Sequence, residues 1–383
     1  MSATPLVTPP RRRGRWLVWL IVAVGVVFAI EVAAVGQTFA ALGYDSARDE
    51  LGEAVASARG AHESAAQLDA AATAAFEQGE RIIDGAGDTV DPAARDTFTS
   101  ALAQVGDARA GVARAASADI PRPPEEKPFW VWELVGQTQA MTAATVSARE
   151  IDRTEADAAS DLQDLRGEMD AAAAELFASV PAFATALESA SISAQTKTVI
   201  EVRRRAADLA TRTELDETGV DAFTVYADAV AAMRASHDAE RAEKSGALFD
   251  RRLAAEEFAR SLSGDVLLDF DWAPIVIGYG AGDSMAGTAV FADSDYGPYA
   301  TITLTDSVAR LWPSARSQAL VAHEVGHAVA TRCSTLFDWT SDAEHEEWAT
   351  AWAISMGFTN DANGVQAYGY PSQAMLDRAA TCR

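Results

Sequence analysis

The sequence predicts a mostly α-helical protein with three parts: an N-terminal transmembrane helix, long Ala-rich helices forming a bundle or hairpins, and a small α+β domain at the C-terminus. Three observations predict this architecture. An apolar stretch follows an arginine cluster near the N-terminus, and alanine and charged residues dominate the middle of the chain. Segments of β type separated by glycine-rich turns occur only after residue 263. The length of 383 residues suits two or three domains.

The N-terminal segment has the composition of a signal anchor. Residues 1–15 are polar and end in an arginine cluster, which predicts a short cytoplasmic tail. Residues 16–36 are apolar apart from Glu31 and are long enough to cross a bilayer. We therefore expect a single-pass cell-membrane protein whose C-terminal part is extracytoplasmic. Glu31 leaves a second interpretation open, a signal peptide cleaved near residues 34–36 and a secreted protein.

Residues 44–263 predict an extracytoplasmic helical region. We expect helices at 45–83, at 92–118, from the proline-rich linker near 119–128 to a stop before Pro181, at 193–212 and at 219–263. Most of the apolar positions in these segments are alanine, which favours slender hairpins, a bundle or a coiled coil.

An aromatic cluster and two isolated histidines stand out in this helical region. Phe129, Trp130 and Trp132 directly follow the linker, and we expect them to cap the packing of a bundle rather than to bind a partner. His62 and His237 lie on charged segments, where surface positions are expected rather than metal ligation.

The composition changes at residues 264–383, which predict the separate α+β domain. A strand and turn are expected at 274–280 and further strands at 287–291 and 299–305, separated by turns rich in glycine and aspartate. The turn spacing does not match an EF-hand calcium loop. This small sheet precedes the most informative motif of the chain.

That motif reads His-Glu-x-x-His at His323, Glu324 and His327. Residues at i and i+4 lie on one helix face, so the two imidazoles can bind one ion. Glu324 can then accept a proton from a water held by that ion. No other charged residue and no proline occurs within residues 317–329, so a solvent-exposed face does not explain this helix.

A second helix is predicted after Ser341, and it is rich in acidic residues. With the first motif, the segment Glu346-Glu347-Trp348-Ala349-Thr350 resembles the gluzincin class of zinc metallopeptidases, in which a Glu on the next helix completes the zinc site. The resemblance covers residues 264–383 only.

The resemblance implies a zincin-like domain that binds Zn²⁺ through His323, His327 and Glu346. Glu347, His345 and Asp342 are the alternatives to Glu346, in that order. Thr350 stands where the family often has an aspartate that supports a ligating histidine.

The implied reaction is hydrolysis of a peptide or protein substrate by metal-activated water, with Glu324 as the general base. The residue that steadies the oxyanion is left open among Tyr368, Tyr370 and Arg378. In this class an edge strand pairs with the substrate backbone, and we expect that strand to be the third, near 299–304. The alternative is an envelope interaction or sensor protein whose zinc domain is structural or inactive.

The net charge limits the expected binding partners, and the cysteine content bears on a disulfide. A net charge of −25 argues against a nucleic-acid partner. The two cysteines, Cys333 and Cys382, predict a disulfide if the domain is exported, with two thiols or a Cys333 metal ligand as alternatives. Abundant alanine and arginine with few lysines suit a bacterial source. No feature of the sequence specifies an oligomeric state.

Overall fold

The computed structural model describes the backbone of residues 14–382 and the side chains of residues 16–382. The predicted cytoplasmic tail therefore lies almost entirely outside the described residues. The helices are α1 (Gly14–Ala86), α2 (Pro92–Ala115), α3 (Val131–Ala190), α4 (Thr196–Leu209), α5 (Glu217–Glu243), α6 (Phe249–Ser263), α7 (Asp306–Leu311), α8 (Ala315–Val329), α9 (Asp342–Ser355), α10 (Val365–Tyr368) and α11 (Gln373–Ala379). The strands are β1 (Leu267–Ala273), β2 (Gly287–Ala292) and β3 (Tyr299–Thr305). The predicted class, mostly α with a small sheet near the C-terminus, is confirmed.

Two predicted helix boundaries are wrong, each for a different reason. The apolar segment and the first predicted helix form one continuous helix, α1, since no proline lies between them. Helix α3 also continues through Pro181 to Ala190. Phe177 and Val180 before the proline and Ala184 after it are buried, and this packing compensates for the lost backbone hydrogen bond.

The segment predicted as one helix over 219–263 is instead divided into α5 and α6. Gly246 in the connection has a φ of +114°, a conformation that a helix cannot contain. Lys244 is buried there, and its Nζ lies 3.2 Å from carboxylate oxygens of both Glu240 on α5 and Glu256 on α6. These two ion pairs join the helices at the turn.

The chain divides into two compact units, one formed by the residues up to Phe76 with Ala103–Glu168 and the other by Glu77–Leu102 with Met169 onward. In the first unit, α1 packs on α3 through a core to which Tyr44, Leu51 and Val55 contribute from α1 and Leu134 and Met141 from α3. His62 on α1 lies 3.0 Å from the buried carboxylate of Glu155 on α3.

Helix α1 begins with a long exposed apolar surface. Its hydropathy and length suffice to cross a membrane, and the apolar window is entirely exposed. Part of α3 passes the same test by length and composition, but that window is 39% buried. The N-terminal segment therefore has the character of a signal or anchor sequence.

The second unit contains the sheet and the predicted metal motif. The strand order is β1-β3-β2, with β1 parallel and β2 antiparallel to β3. Phe270, Ile302 and Leu304 on the sheet and Val321 and Val325 on α8 belong to one core. A strand and turn were predicted at 274–280. The strand part is wrong, because the first strand is β1 at Leu267–Ala273, and the segment that follows it forms tight turns.

Candidate metal centre

Helix α8 carries the His-Glu-x-x-His motif into the core. Its N-terminus is capped by Ser314, whose side chain accepts a hydrogen bond from the backbone N–H of Ser317. His323, Glu324 and His327 are all buried, with 5%, 5% and 8% of their surface exposed. Polar groups at this depth require partners, so their surroundings determine what they can bind.

Helix α9 approaches α8 closely at one glycine. A Cβ atom added at Gly326 would lie only 2.9 Å from the Cα and the carbonyl oxygen of Ala349. The indole nitrogen of Trp348 donates a hydrogen bond to the Gly326 carbonyl oxygen at 3.2 Å. Trp348 and Trp352 anchor α9 in the core, and this packing presents Glu346 to the two histidines.

Three donor atoms from the two helices form a small triangle. Nε2 of His323 lies 3.2 Å from Nε2 of His327 and 3.1 Å from Oε2 of Glu346, and the third side is 3.3 Å. A tetrahedral zinc ion with ligands about 2.0–2.1 Å away would separate its ligand atoms by about 3.3–3.4 Å. The observed triangle is close to that geometry, and these residues could hold a metal ion.

The three alternatives to Glu346 do not join the histidine pair: two of them contact other groups and the third is exposed. The imidazole of His345 lies 2.9 Å from the carbonyl oxygen of Trp339 and stacks on the ring of Phe291. The carboxylate of Glu347 accepts a hydrogen bond from the backbone N–H of Ser372 at 2.8 Å. Asp342 is exposed in the first turn of α9. Glu346 alone among the four joins the histidine pair.

Thr350 replaces the aspartate expected from the resemblance, and it still contacts a ligand candidate. Its hydroxyl oxygen lies 3.4 Å from Nδ1 of His323, on the side of the ring opposite Nε2. Thr350 is fully buried one turn after Glu346. A hydroxyl here can orient the His323 ring, although it supplies no negative charge.

Glu324 lies beside the triangle without belonging to it. Its carboxylate packs against β2, where a Cβ at Gly287 would lie 2.6 Å from Cγ and Oε1 of Glu324. Burial raises the pKa of Glu324 to about 7, with His327 lowering it and the charge of Glu346 raising it. A cation in the adjoining triangle would favour the ionised form of this carboxyl.

The pKa of Glu346 is shifted in the opposite direction from that of Glu324. Partial burial acts to raise its pKa, but hydrogen bonds from His323 and His327 outweigh that effect and hold the pKa well below its ordinary value. The carboxylate is therefore ionised at neutral pH and available to a cation.

Tyr368 is the one oxyanion candidate at the triangle. Its ring stacks on the His323 ring with centroids 6.0 Å apart. Burial, followed by the charge of Glu346, raises the pKa of Tyr368 to about 12, so its hydroxyl remains a donor at neutral pH. Tyr370 is 71% exposed, and the Nε of Arg378 donates to the carbonyl oxygen of Ala374 on its own helix.

The strand beside the centre is β2, which corrects the expectation for the third strand. β3 is the central strand of the sheet and has both of its sides paired, whereas β2 pairs with β3 alone within the described residues. The strand order could not be predicted from the sequence, because it depends on a parallel pairing between β1 and β3, two strands that β2 separates along the chain.

The predicted disulfide between Cys333 and Cys382 is present, with Cα atoms 6.3 Å apart. The indole nitrogen of Trp352 also donates to the carbonyl oxygen of Cys382 at 2.7 Å. Together these bonds hold the C-terminus against α9, the helix that supplies Glu346. Neither cysteine is left free as a metal ligand.

Sequence reasoning missed three glycines that pack against the site: Gly326, Gly287 and Gly364, where an added Cβ would lie 2.8 Å from ring atoms of His323. A local signal for Gly326 was present in the motif, because this glycine stands among apolar residues with larger side chains. His62 and His237 do not join the metal-binding group among the described residues; Nδ1 of His237 accepts a hydrogen bond from the Ser193 backbone N–H.

Comparisons with protein-family models, with curated proteins and with solved structures give no match to this chain.

Proposed function

We propose that this protein is a membrane-anchored, extracytoplasmic zinc metallopeptidase in which Glu324 is the general base. The observation that carries the proposal is the convergence of His323 Nε2, His327 Nε2 and Glu346 Oε2 with the Glu324 carboxylate beside them but outside the triangle. A structural metal site needs no such fourth, unligated acid.

The donor set favours zinc with a free coordination position. Two imidazole nitrogens and one carboxylate oxygen are typical of catalytic zinc sites, whereas structural sites are usually completed by four protein ligands. When bound, a zinc ion lowers the pKa of a water in the free position and polarises a carbonyl group.

Side chains of the protein carry out the remaining steps of peptide hydrolysis. Glu324 takes a proton from the attacking water and then delivers it to the leaving amide nitrogen. The Tyr368 hydroxyl donates a hydrogen bond to the oxygen on which negative charge develops. The low exposure of His323, Glu324 and His327 excludes bulk water from these groups.

The peptide substrate is supported by the resemblance and by the sheet. β2 borders Glu324 at Gly287 and has one side unpaired within the described part of the chain. An extended peptide can add to such an edge through backbone hydrogen bonds. The external location is supported by the exposed apolar start of α1 and by the disulfide, a bond that persists in oxidising compartments.

The test combines metal content with peptide cleavage in the purified full-length protein. We expect the wild type and Glu324→Gln to retain zinc after dialysis and only the wild type to cleave an unfolded protein or a peptide library. Glu346→Gln should lose both zinc and activity. Asp342→Asn, an exposed change on the same helix as Glu346, is the matched control and should change neither.

Two results would overturn the proposal. If the wild type holds zinc but cleaves no member of the library, an interaction or sensor protein with a structural zinc domain is favoured. If the wild type and Glu346→Gln have equal zinc contents, the triangle is not the metal site.

A further inference from the structure

Three aromatic side chains at the start of α3 are exposed, contrary to the expected packing cap. Phe129, Trp130 and Trp132 are 74%, 51% and 64% exposed. The two indoles are stacked with centroids 5.0 Å apart, and Phe129 packs edge-on against Trp130. We call these three residues the aromatic patch. Large aromatic side chains grouped on a surface in this way indicate a binding site rather than core packing.

Contacts to α1 fix the level of the patch along that helix. The side-chain amide of Gln37 donates a hydrogen bond to the backbone oxygen of Phe129. Just before the patch, Nζ of Lys127 lies 2.6 Å from the carboxylate of Asp45 and 3.2 Å from the carbonyl oxygen of Ala41. These bonds hold the patch beside residues 37–45 of α1, which directly follow the apolar segment.

The apolar segment ends at the level of the patch. At about 1.5 Å per residue, residues 16–36 of α1 extend roughly 30 Å, the thickness of a bilayer's hydrocarbon core. Residues 37–45 would then lie in the headgroup layer. Phe39 and Leu42 in this part of α1 are also exposed, so an apolar surface continues from the anchor to the patch.

We propose that the aromatic patch inserts into the headgroup layer of the outer leaflet and forms a second contact with the membrane beside the α1 anchor. The inference rests on the anchoring part of the proposed function. Tryptophan suits this position because its ring is apolar and its N–H is polar. Continuity with the lipid-facing surface of α1 favours lipid over a protein partner.

The patch also has a structural consequence for the first unit. Helices α1 and α3 run parallel, since Lys127 pairs with Asp45 and, further along both, Asp152 accepts a hydrogen bond from Ser57. Two neighbouring contacts with the same leaflet would restrict the tilt of this helix pair. The proline-rich linker, residues 119–128, precedes the patch and leads the chain to that level.

Spin-label accessibility in full-length protein reconstituted into phosphatidylcholine nanodiscs tests the proposal. Nitroxides are attached at single introduced cysteines, Trp130→Cys, Val146→Cys and Val27→Cys, with the native disulfide verified by mass spectrometry. Val146 is 61% exposed on α3, about 24 Å beyond Trp130 at the helical rise, and is the matched aqueous control. Val27 reports on the anchor itself.

We expect the ratio of oxygen to nickel-chelate accessibility to be highest at residue 27, intermediate at 130 and lowest at 146, with a severalfold difference between 130 and 146. Equal ratios at 130 and 146, with a lipid value at 27, would overturn the inference while leaving the anchor intact. An aqueous value at 27 would overturn both. Shielding of residue 130 from both reagents would indicate a protein partner and would likewise overturn it.

Discussion

Gly326 on α8 lies directly against Ala349 on α9, so closely that a Cβ at residue 326 would be 2.9 Å from the Ala349 Cα atom. The contact sets the separation of the two helices at the point between the histidine pair and Glu346. The metal triangle therefore depends on a residue that has no donor atom of its own.

Replacing this glycine should weaken metal binding without removing a ligand. In Gly326→Ala the new methyl group meets backbone atoms, which cannot move without moving α9, so we expect a loss of about 1–3 kcal/mol in stability and weaker zinc affinity. Zinc titration and thermal unfolding are the measurements. Gly111→Ala on α2 is the control, because nothing lies within 4 Å of its added Cβ. Unchanged zinc affinity in Gly326→Ala would contradict the assigned role.

The metal centre between α8 and α9 shows which features could be predicted from the sequence and which could not. The facing of His323 and His327 follows from helix geometry within five consecutive residues, so it was predictable. Glu346 required the resemblance, because its approach to the histidines depends on how α9 packs. The exclusion of His345 and Glu347 could not be foreseen, since Trp339 and Ser372, their partners, lie outside the motif.

The sheet and the long helices were also only partly predictable from the sequence. β2 and β3 were located from local residue types and the turn between them, but the order β1-β3-β2 depends on a parallel pairing across about thirty residues of chain. Helix α3 passes Pro181 because buried neighbours hold it, which a local rule about proline cannot register. The break at Gly246 did carry a local signal, the Ser-Gly pair at residues 245–246.

Burial of Glu324 predicts a specific pH dependence in the metal-free protein. Its pKa is raised to about 7 in the folded state, so the stabilising effect of the protonated form is complete below the unfolded value and is lost as pH rises through 7. We expect the metal-free wild type to lose up to about 3 kcal/mol relative to Glu324→Gln between pH 4.5 and 7.5.

Chelator-treated protein, unfolded by denaturant across this pH range, provides the measurement. The difference between the two proteins removes the contribution of titrating groups that do not interact with Glu324. Saturating zinc should reduce the difference, because the cation stabilises the ionised carboxylate. A pH-independent difference would show that Glu324 is not buried as an acid.

The disulfide is expected to support metal binding as well as stability. Cys333 and Cys382 are 49 residues apart and enclose α9 with Glu346. Closing a loop of this size stabilises a folded chain by about 4 kcal/mol in the chain-entropy description. The double variant Cys333→Ser, Cys382→Ser should therefore unfold at a lower temperature and bind zinc more weakly.

Zinc affinity and thermal unfolding of the double variant should match those of the wild type treated with reductant, because both lack the same bond. The variant itself, treated with reductant, is the control and should not change further. If reduction leaves zinc affinity unaltered, the packing of Trp348 and Trp352 alone holds α9 in place.

Tyr368 is expected to act on the rate of the proposed reaction rather than on metal binding. Its ring stacks on His323 and its hydroxyl stays protonated, since burial and Glu346 raise its pKa to about 12. Tyr368→Phe keeps the stacking and removes only the donor. We expect unchanged zinc content and KM, with kcat lower by about 10²–10³, as for the loss of one oxyanion donor. Tyr370→Phe, at a position 71% exposed, is the matched control and should retain the wild-type kcat. A fall in zinc content in Tyr368→Phe would instead assign the hydroxyl to the support of Glu346.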